Sequence, residues 1–131
     1  MAYLIDTSIA IHARDGDVAI LNRLETHIGV VVLSALSLAE LQRGLYKDAA
    51  HTVIRRAGLE ALLRRIPVLS FDTAAAEAYG RIISQLGWVK GRDYDRMIAA
   101  HAISTASILV TSNEADFRDI PSLQIENWSE V

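Results

Sequence analysis

Cysteine does not occur in this 131-residue sequence. Its absence removes disulfide frameworks, thiolate zinc centres and a cysteine nucleophile, and an intracellular setting is the easier reading. Proline occurs only twice and no polar low-complexity run or linker interrupts the chain. With 51 % hydrophobic and 22 % charged residues, the composition fits one compact domain over residues 1–131 rather than a disordered segment. Basic residues are not in excess, and the net charge of −3 argues against a protein that coats nucleic acid through many phosphate contacts. It leaves room for one that handles nucleic acid at a single acidic spot. No glycine-rich loop of the P-loop or dinucleotide-binding kind is present, so nucleotide-binding readings fall away. No basic leader with a long apolar stretch and no membrane-length apolar run is seen, so a cytoplasmic protein without membrane contact is expected.

What is present is an alternation of strand-like and helix-like segments. Residues 2–5 read as a short buried strand, with Thr7 or Ser8 as candidate caps of a following helix. Residues 16–27 carry Val18, Ile20, Leu21 and Leu24 near helical spacing, before Gly29 and the β-branched Val30-Val31-Val32 signal a second strand. Helices are expected over 37–46 and about 50–65, then a strand at 68–71, an Ala-rich helix from Asp72-Thr73 to about Leu86, and a helix over 95–104. Strands follow at 108–111 and 123–125. Such alternation predicts an α/β sandwich with a mostly parallel central sheet, whose sites lie outside the carboxyl ends of the strands.

Four acids fall beside such ends. Asp6 follows the first apolar run in Tyr3-Leu4-Ile5-Asp6-Thr7-Ser8, Glu40 sits in Leu38-Ala39-Glu40-Leu41, Asp95 opens Asp95-Arg96-Met97-Ile98, and Asp116 closes Ser112-Asn113-Glu114-Ala115-Asp116. Singly, each has a plainer role: a helix cap near Asp6, a capping box joining Ser37 and Glu40, first-turn acids at Asp93 and Asp95, a turn residue at Asp116. Gathered into one crevice, they would repel one another, and a hard divalent cation becomes the natural companion, with phosphodiester chemistry as its use.

Arg14, Arg43, Lys47, Lys90, Arg92 and Arg96 lie near the acids in sequence and are candidate guides for phosphates. Arg55-Arg56 and Arg64-Arg65 read as solubilising charges. His12, His27, His51 and His101 lack metal-ligand spacing, and His101, six residues after Asp95, falls on a different helical face. Leu38, Leu41 and Leu45 are core residues or a groove for a partner helix.

Taken together, Leu4-Ile5-Asp6-Thr7-Ser8, Ser37-Leu38-Ala39-Glu40-Leu41-Gln42-Arg43-Gly44, Asp95 through Ala102 and Val110 through Phe117 resemble a PIN-domain protein of the VapC toxin type. The resemblance covers essentially the whole chain, including the ending Pro121 to Trp128. It implies a PIN-like three-layer sandwich and a magnesium-dependent endoribonuclease, with manganese as a plausible substitute. It also implies Asp6 and Asp95 as metal ligands and Glu40 completing the acidic site. A VapB-like antitoxin as partner, a homodimer, and transfer RNA cut in the anticodon region follow by the same analogy. The chain departs from the family pattern at Ser8, where Asn is common, and at Asn113, where many members carry Asp. Asp116 or the Asn113 amide then completes the site. A catalytically weak PIN-fold partner acting mainly in a DNA-binding antitoxin complex is the alternative. A receiver-like signalling domain ranks last, because no strand-end acceptor Asp with following Thr and Lys is found.

Overall fold

The structure, a computed structural model, describes residues 1–129. Five short strands, β1 (Tyr3–Ile5), β2 (Val31–Ser34), β3 (Val68–Leu69), β4 (Ile108–Val110) and β5 (Ile125–Glu126), form one sheet in the order β3-β2-β1-β4-β5. Every pairing is parallel, with Ile5 opposite Leu33 on one side and Val110 on the other. The expectation of a mostly parallel sheet is thus met by a fully parallel one. Parallel strands need covering on both faces, and the helices α1 (Thr7–Arg14), α2 (Val18–Thr26), α3 (Ala35–Tyr46), α4 (Thr52–Arg65), α5 (Thr73–Leu86) and α6 (Asp93–Ser104) supply the cover.

The period-2 alternation of the strands sorts the core into two layers. Ile5, Val31, Leu33 and Val110 point to the layer built with Ile9, Ile20, Leu24, Leu41, Leu45, Leu59 and Leu62 from α1 to α4. Leu4 and Leu109 point the other way, to Ala78, Ile82, Ile98, Ala99 and Ala102 from α5 and α6. Leu41 and Leu45 are therefore core, and Leu38 packs against the same layer. Small alanines let α6 lie close against α5 while it is buried nearly all round.

Helix starts follow from strand-end polar residues. Asp6 accepts from the Ile9 amide, Asp17 from Ile20 and Asp72 from Ala75, each an N-cap that satisfies one of the free donors of the first turn. The caps at Asp6 and Ser34 correct two expectations. Asp6 itself, not Thr7 or Ser8, caps α1. α3 begins at Ala35, capped by Ser34, with no loop after β2. The Ser37–Glu40 capping box therefore does not form: Ser37 is buried in the first turn and Glu40 lies in mid-helix. Among the described residues, no helix is long and apolar enough to cross a membrane.

β1 is the central strand, and the chain leaves it toward β2 on one side while β4 lies on the other. That reversal opens a crevice outside the carboxyl ends of β1 and β4, where Asp6 and residues 111–116 stand.

Candidate acidic active site

Asp6 is 4 % exposed and fully engaged. Its Oδ1 accepts from Ser8 Oγ at 2.6 Å and from the Ile9 amide at 3.0 Å, and its Oδ2 accepts from Thr111 Oγ1 at 2.5 Å. Three of about four acceptor positions are used, which leaves one for a ligand. Burial pushes its pKa up, and the Ser8, Thr111 and Ile9 bonds work against that rise. Thr111, buried at the end of β4, is a site residue the sequence reading overlooked. Like Asp6 it follows an apolar strand, but only the parallel register, with Ile5 opposite Val110, sets the two side by side.

Ser8, the departure from the family pattern, holds two elements together. Besides donating to Asp6, its Oγ accepts the Ser112 amide at 3.2 Å, and the Asn113 amide donates to Thr111 Oγ1 at 2.9 Å. The first turn of α1 and the segment after β4 are thereby stitched at the carboxylate. Glu40 reaches the same place from α3: Thr7 Oγ1 donates to Glu40 Oε1 at 2.7 Å and lies 3.0 Å from Ser37 Oγ.

Asp95 stands in the first turn of α6, and its pKa records the company it keeps. Burial first, then the charges of Asp116, Asp6 and Glu40 in that order, raise it to about 6 against the opposing pull of Arg92. Four acids from four separate segments thus share one field. Asp116 closes a 3₁₀ turn, Glu114–Asp116, and is half-buried, whereas Asn113, which precedes that turn, is exposed. Of the two candidates for the fourth position, Asp116 is the one whose charge Asp95 feels.

The donor set is carboxylate oxygen, with no thiolate, which suits a hard cation. Among the described residues no three His, Asp or Glu side chains are gathered tightly enough to hold an ion by direct ligation alone. Magnesium keeps several of its waters and takes one or two direct carboxylates, so acids spaced more widely than a closed shell still fit it.

The basic candidates divide. Arg43 lies 3.8 Å from Glu40 and is largely exposed, Lys47 is exposed one turn on, and Lys90 is exposed. Arg92 acts on Asp95 directly. Arg96 does not fit the role of guide: its side chain is 4 % exposed and locked to Asp119 at 2.9 Å. One residue past Asp95, it falls on the inward side of α6 rather than on the acid side. Arg14 is also buried and paired, with Asp15 at 2.8 Å. His101 is a core residue: its Nδ1 is 2.8 Å from Ser34 Oγ, and burial lowers its pKa against the pull of Asp72 and Ser70. It fixes α6 to the start of α3, and so Asp95 relative to Glu40.

Comparison with known proteins agrees with this geometry. The profile described as PIN domain matches residues 3–123. Ribonuclease VapC2 of Rickettsia felis is 33 % identical over 98 % of both chains. The tRNA(fMet)-specific endonuclease VapC of Shigella flexneri is 32 % identical, covering 98 % of this chain and 99 % of its own. The crystal structure of VapBC2 from Rickettsia felis bound to a DNA fragment from their promoter matches with a TM-score of 0.86 at 31 % identity, over 98 % of this chain and 99 % of that one. The chain belongs to the PIN-domain family, in its VapC group.

Proposed function

We propose that this protein is a magnesium-dependent endoribonuclease, the toxin of a type II toxin-antitoxin pair, acting in the cytoplasm on transfer RNA in the anticodon region. The observation that carries the reading is the convergence of the acids: Thr7 bonds Glu40 beside the strand-end Asp6, Ser8 and Thr111 hold Asp6 in place, and Asp95 lies in the field of Asp116, Asp6 and Glu40. Four carboxylates that share one field, set against Arg92 beside Asp95 and Arg43 beside Glu40, leave net negative charge and make sense as a cation site.

Asp6 and Asp95 would hold the ion, Glu40 and Asp116 would act through its waters, and manganese would substitute. When bound, such a cation supplies charge to the scissile phosphate and acidity to the attacking water, so no side-chain nucleophile is required. Around it, Ser8 and Thr111 keep Asp6 oriented and Thr7 keeps Glu40 facing the crevice. Single-stranded loops suit the site because a splayed backbone bends into a pocket that a stiff duplex cannot enter.

The names of the relatives support the same picture: a VapC of Shigella flexneri is a tRNA(fMet)-specific endonuclease, and VapBC2 of Rickettsia felis is bound to a DNA fragment from their promoter. A VapB-like antitoxin is accordingly the proposed partner and a homodimer the proposed state. Purified protein incubated with total RNA and magnesium is expected to cut, and Asp6→Asn and Asp95→Asn variants to lose cutting. Equal cleavage by all three would remove the site assignment. Complete inactivity of the wild type, with promoter binding intact in the antitoxin complex, would favour the non-catalytic alternative.

A further inference from the structure

The sequence reading set Arg55 aside as a solubilising charge, and the structure gives it a different place. A recess of about 340 Å³ between α1, α3 and α4 opens off the acid site, lined by Thr7 and Glu40 and by Arg14, Arg43, Lys47 and Arg55, with the Asp15 carboxylate also in its wall. Arg14 supplies its buried wall. Its side chain is 5 % exposed, and Nε and Nη2 donate to Asp15 at 2.8 and 3.2 Å. Among the described residues its Nη1 makes no hydrogen bond. That nitrogen lies 3.5 Å from where a Cβ on Gly44 would stand, so the helix that carries Glu40 passes close over it. Arg55 reaches across from α4 and donates through Nη1 to the Gly44 carbonyl at 3.0 Å, which fixes its guanidinium at the same spot.

Charge balance then decides what the recess accepts. Asp15 neutralises Arg14, Glu40 partly neutralises Arg43 and Asp48 partly offsets Arg55, which still leaves the recess net positive, with Lys47 and Arg55 beside an unpaired N–H of Arg14. A guanidinium whose fork is already held spends little entropy in binding a phosphate. We propose that this recess is a phosphate subsite for the RNA strand, holding a phosphodiester next to the one that is cut, with Lys47 and Arg55 as its binding residues and Arg14 as its buried donor. The inference rests on the nuclease reading only for the identity of the strand.

Two measurements test it, with a single-stranded oligoribonucleotide as probe. In cleavage assays, the Lys47→Gln/Arg55→Gln variant is expected to raise KM about tenfold with kcat held within about twofold, and Arg55→Lys to recover most of the loss. In binding assays on the Asp95→Asn background, the same pair is expected to flatten the dependence of log K on log salt by about 0.7, the value of one phosphate contact on a single strand. Lys47→Gln alone, on an exposed side chain, guards against a folding defect. Unchanged KM and unchanged slope would overturn the proposal, as would a fall in kcat at constant KM. A variant that binds RNA normally but loses its antitoxin would also overturn it and assign the recess to a protein partner. Should the wild type cut nothing while the salt slope still flattens, the subsite stands and the nuclease reading falls. Should it cut while the slope is unmoved, the reverse holds.

Discussion

Thr7, the first residue of α1, donates its hydroxyl to Glu40 Oε1, halfway along α3, at 2.7 Å. One bond across 33 positions thus fixes the distance between the strand-end acid Asp6 and a mid-helix acid. Thr7→Val keeps shape and removes the donor. Loss of one such supporting hydrogen bond is expected to lower activity about 10- to 100-fold and stability by about 1 kcal/mol. Cleavage kinetics and urea unfolding of the same variant check both numbers.

Ser8 is expected to behave as a clasp. Its Oγ touches both Asp6 and the Ser112 amide, so Ser8→Ala leaves one carboxylate oxygen less restrained and one amide without its acceptor. Magnesium affinity, read by calorimetry, should weaken about tenfold. Unchanged affinity would mean that Ser8 ties α1 to the Ser112 amide and does nothing for the site.

Asp95 gives a pH signature. Its folded pKa of about 6 stands above the ordinary 3.8, so between about pH 4 and 6 the ion-free folded protein binds more protons than the unfolded chain, and stability falls as pH rises through that window. At neutral pH the remaining penalty is of the order of 1–2 kcal/mol once the half-exposed position is allowed for. Asp95→Asn should abolish this fall and raise the ion-free Tm at neutral pH while eliminating cleavage. Magnesium should raise the wild-type Tm at neutral pH far more than near pH 5. Scanning calorimetry across that range decides it.

Two glycines should respond in opposite directions. A Cβ on Gly58 would stand 2.2 Å from the Arg14 carbonyl oxygen, a backbone atom with no freedom to move, while a Cβ on Gly80 meets nothing within 4 Å. Gly58→Ala is expected to cost about 1–3 kcal/mol by forcing α4 off the end of α1. Gly80→Ala in α5 should stabilise by about 0.5–1 kcal/mol. Urea midpoints of the two variants report this directly.

Much of this architecture was readable from the chain. The strand and helix alternation, the cap at Asp72 and the placement of acids at strand ends follow from local chemistry, because apolar runs and short polar caps act over a few residues. What was not readable depends on tertiary proximity. Ser37 and Glu40 have capping-box spacing, yet β2 runs into α3 without a loop, so Ser34 takes the cap and both residues turn to Thr7. Arg96 neighbours Asp95 in sequence but faces inward, because adjacent residues on a helix point about 100° apart. Arg55 was dismissed for the converse reason: eleven residues from Gly44, it comes to that carbonyl only through the packing of α4 on α3. Thr111 became visible once the parallel register set it beside Asp6.

The central claim is that Asp6, Glu40, Asp95 and Asp116 surround one hydrated divalent cation. Crystals grown with manganese and measured at its absorption edge test it most directly. The account predicts a single strong anomalous peak in the crevice outside the ends of β1 and β4, in contact with Asp6 and Asp95 and lost in Asp95→Asn. A saturated crystal with no peak there, or with its peak among other residues, would contradict it.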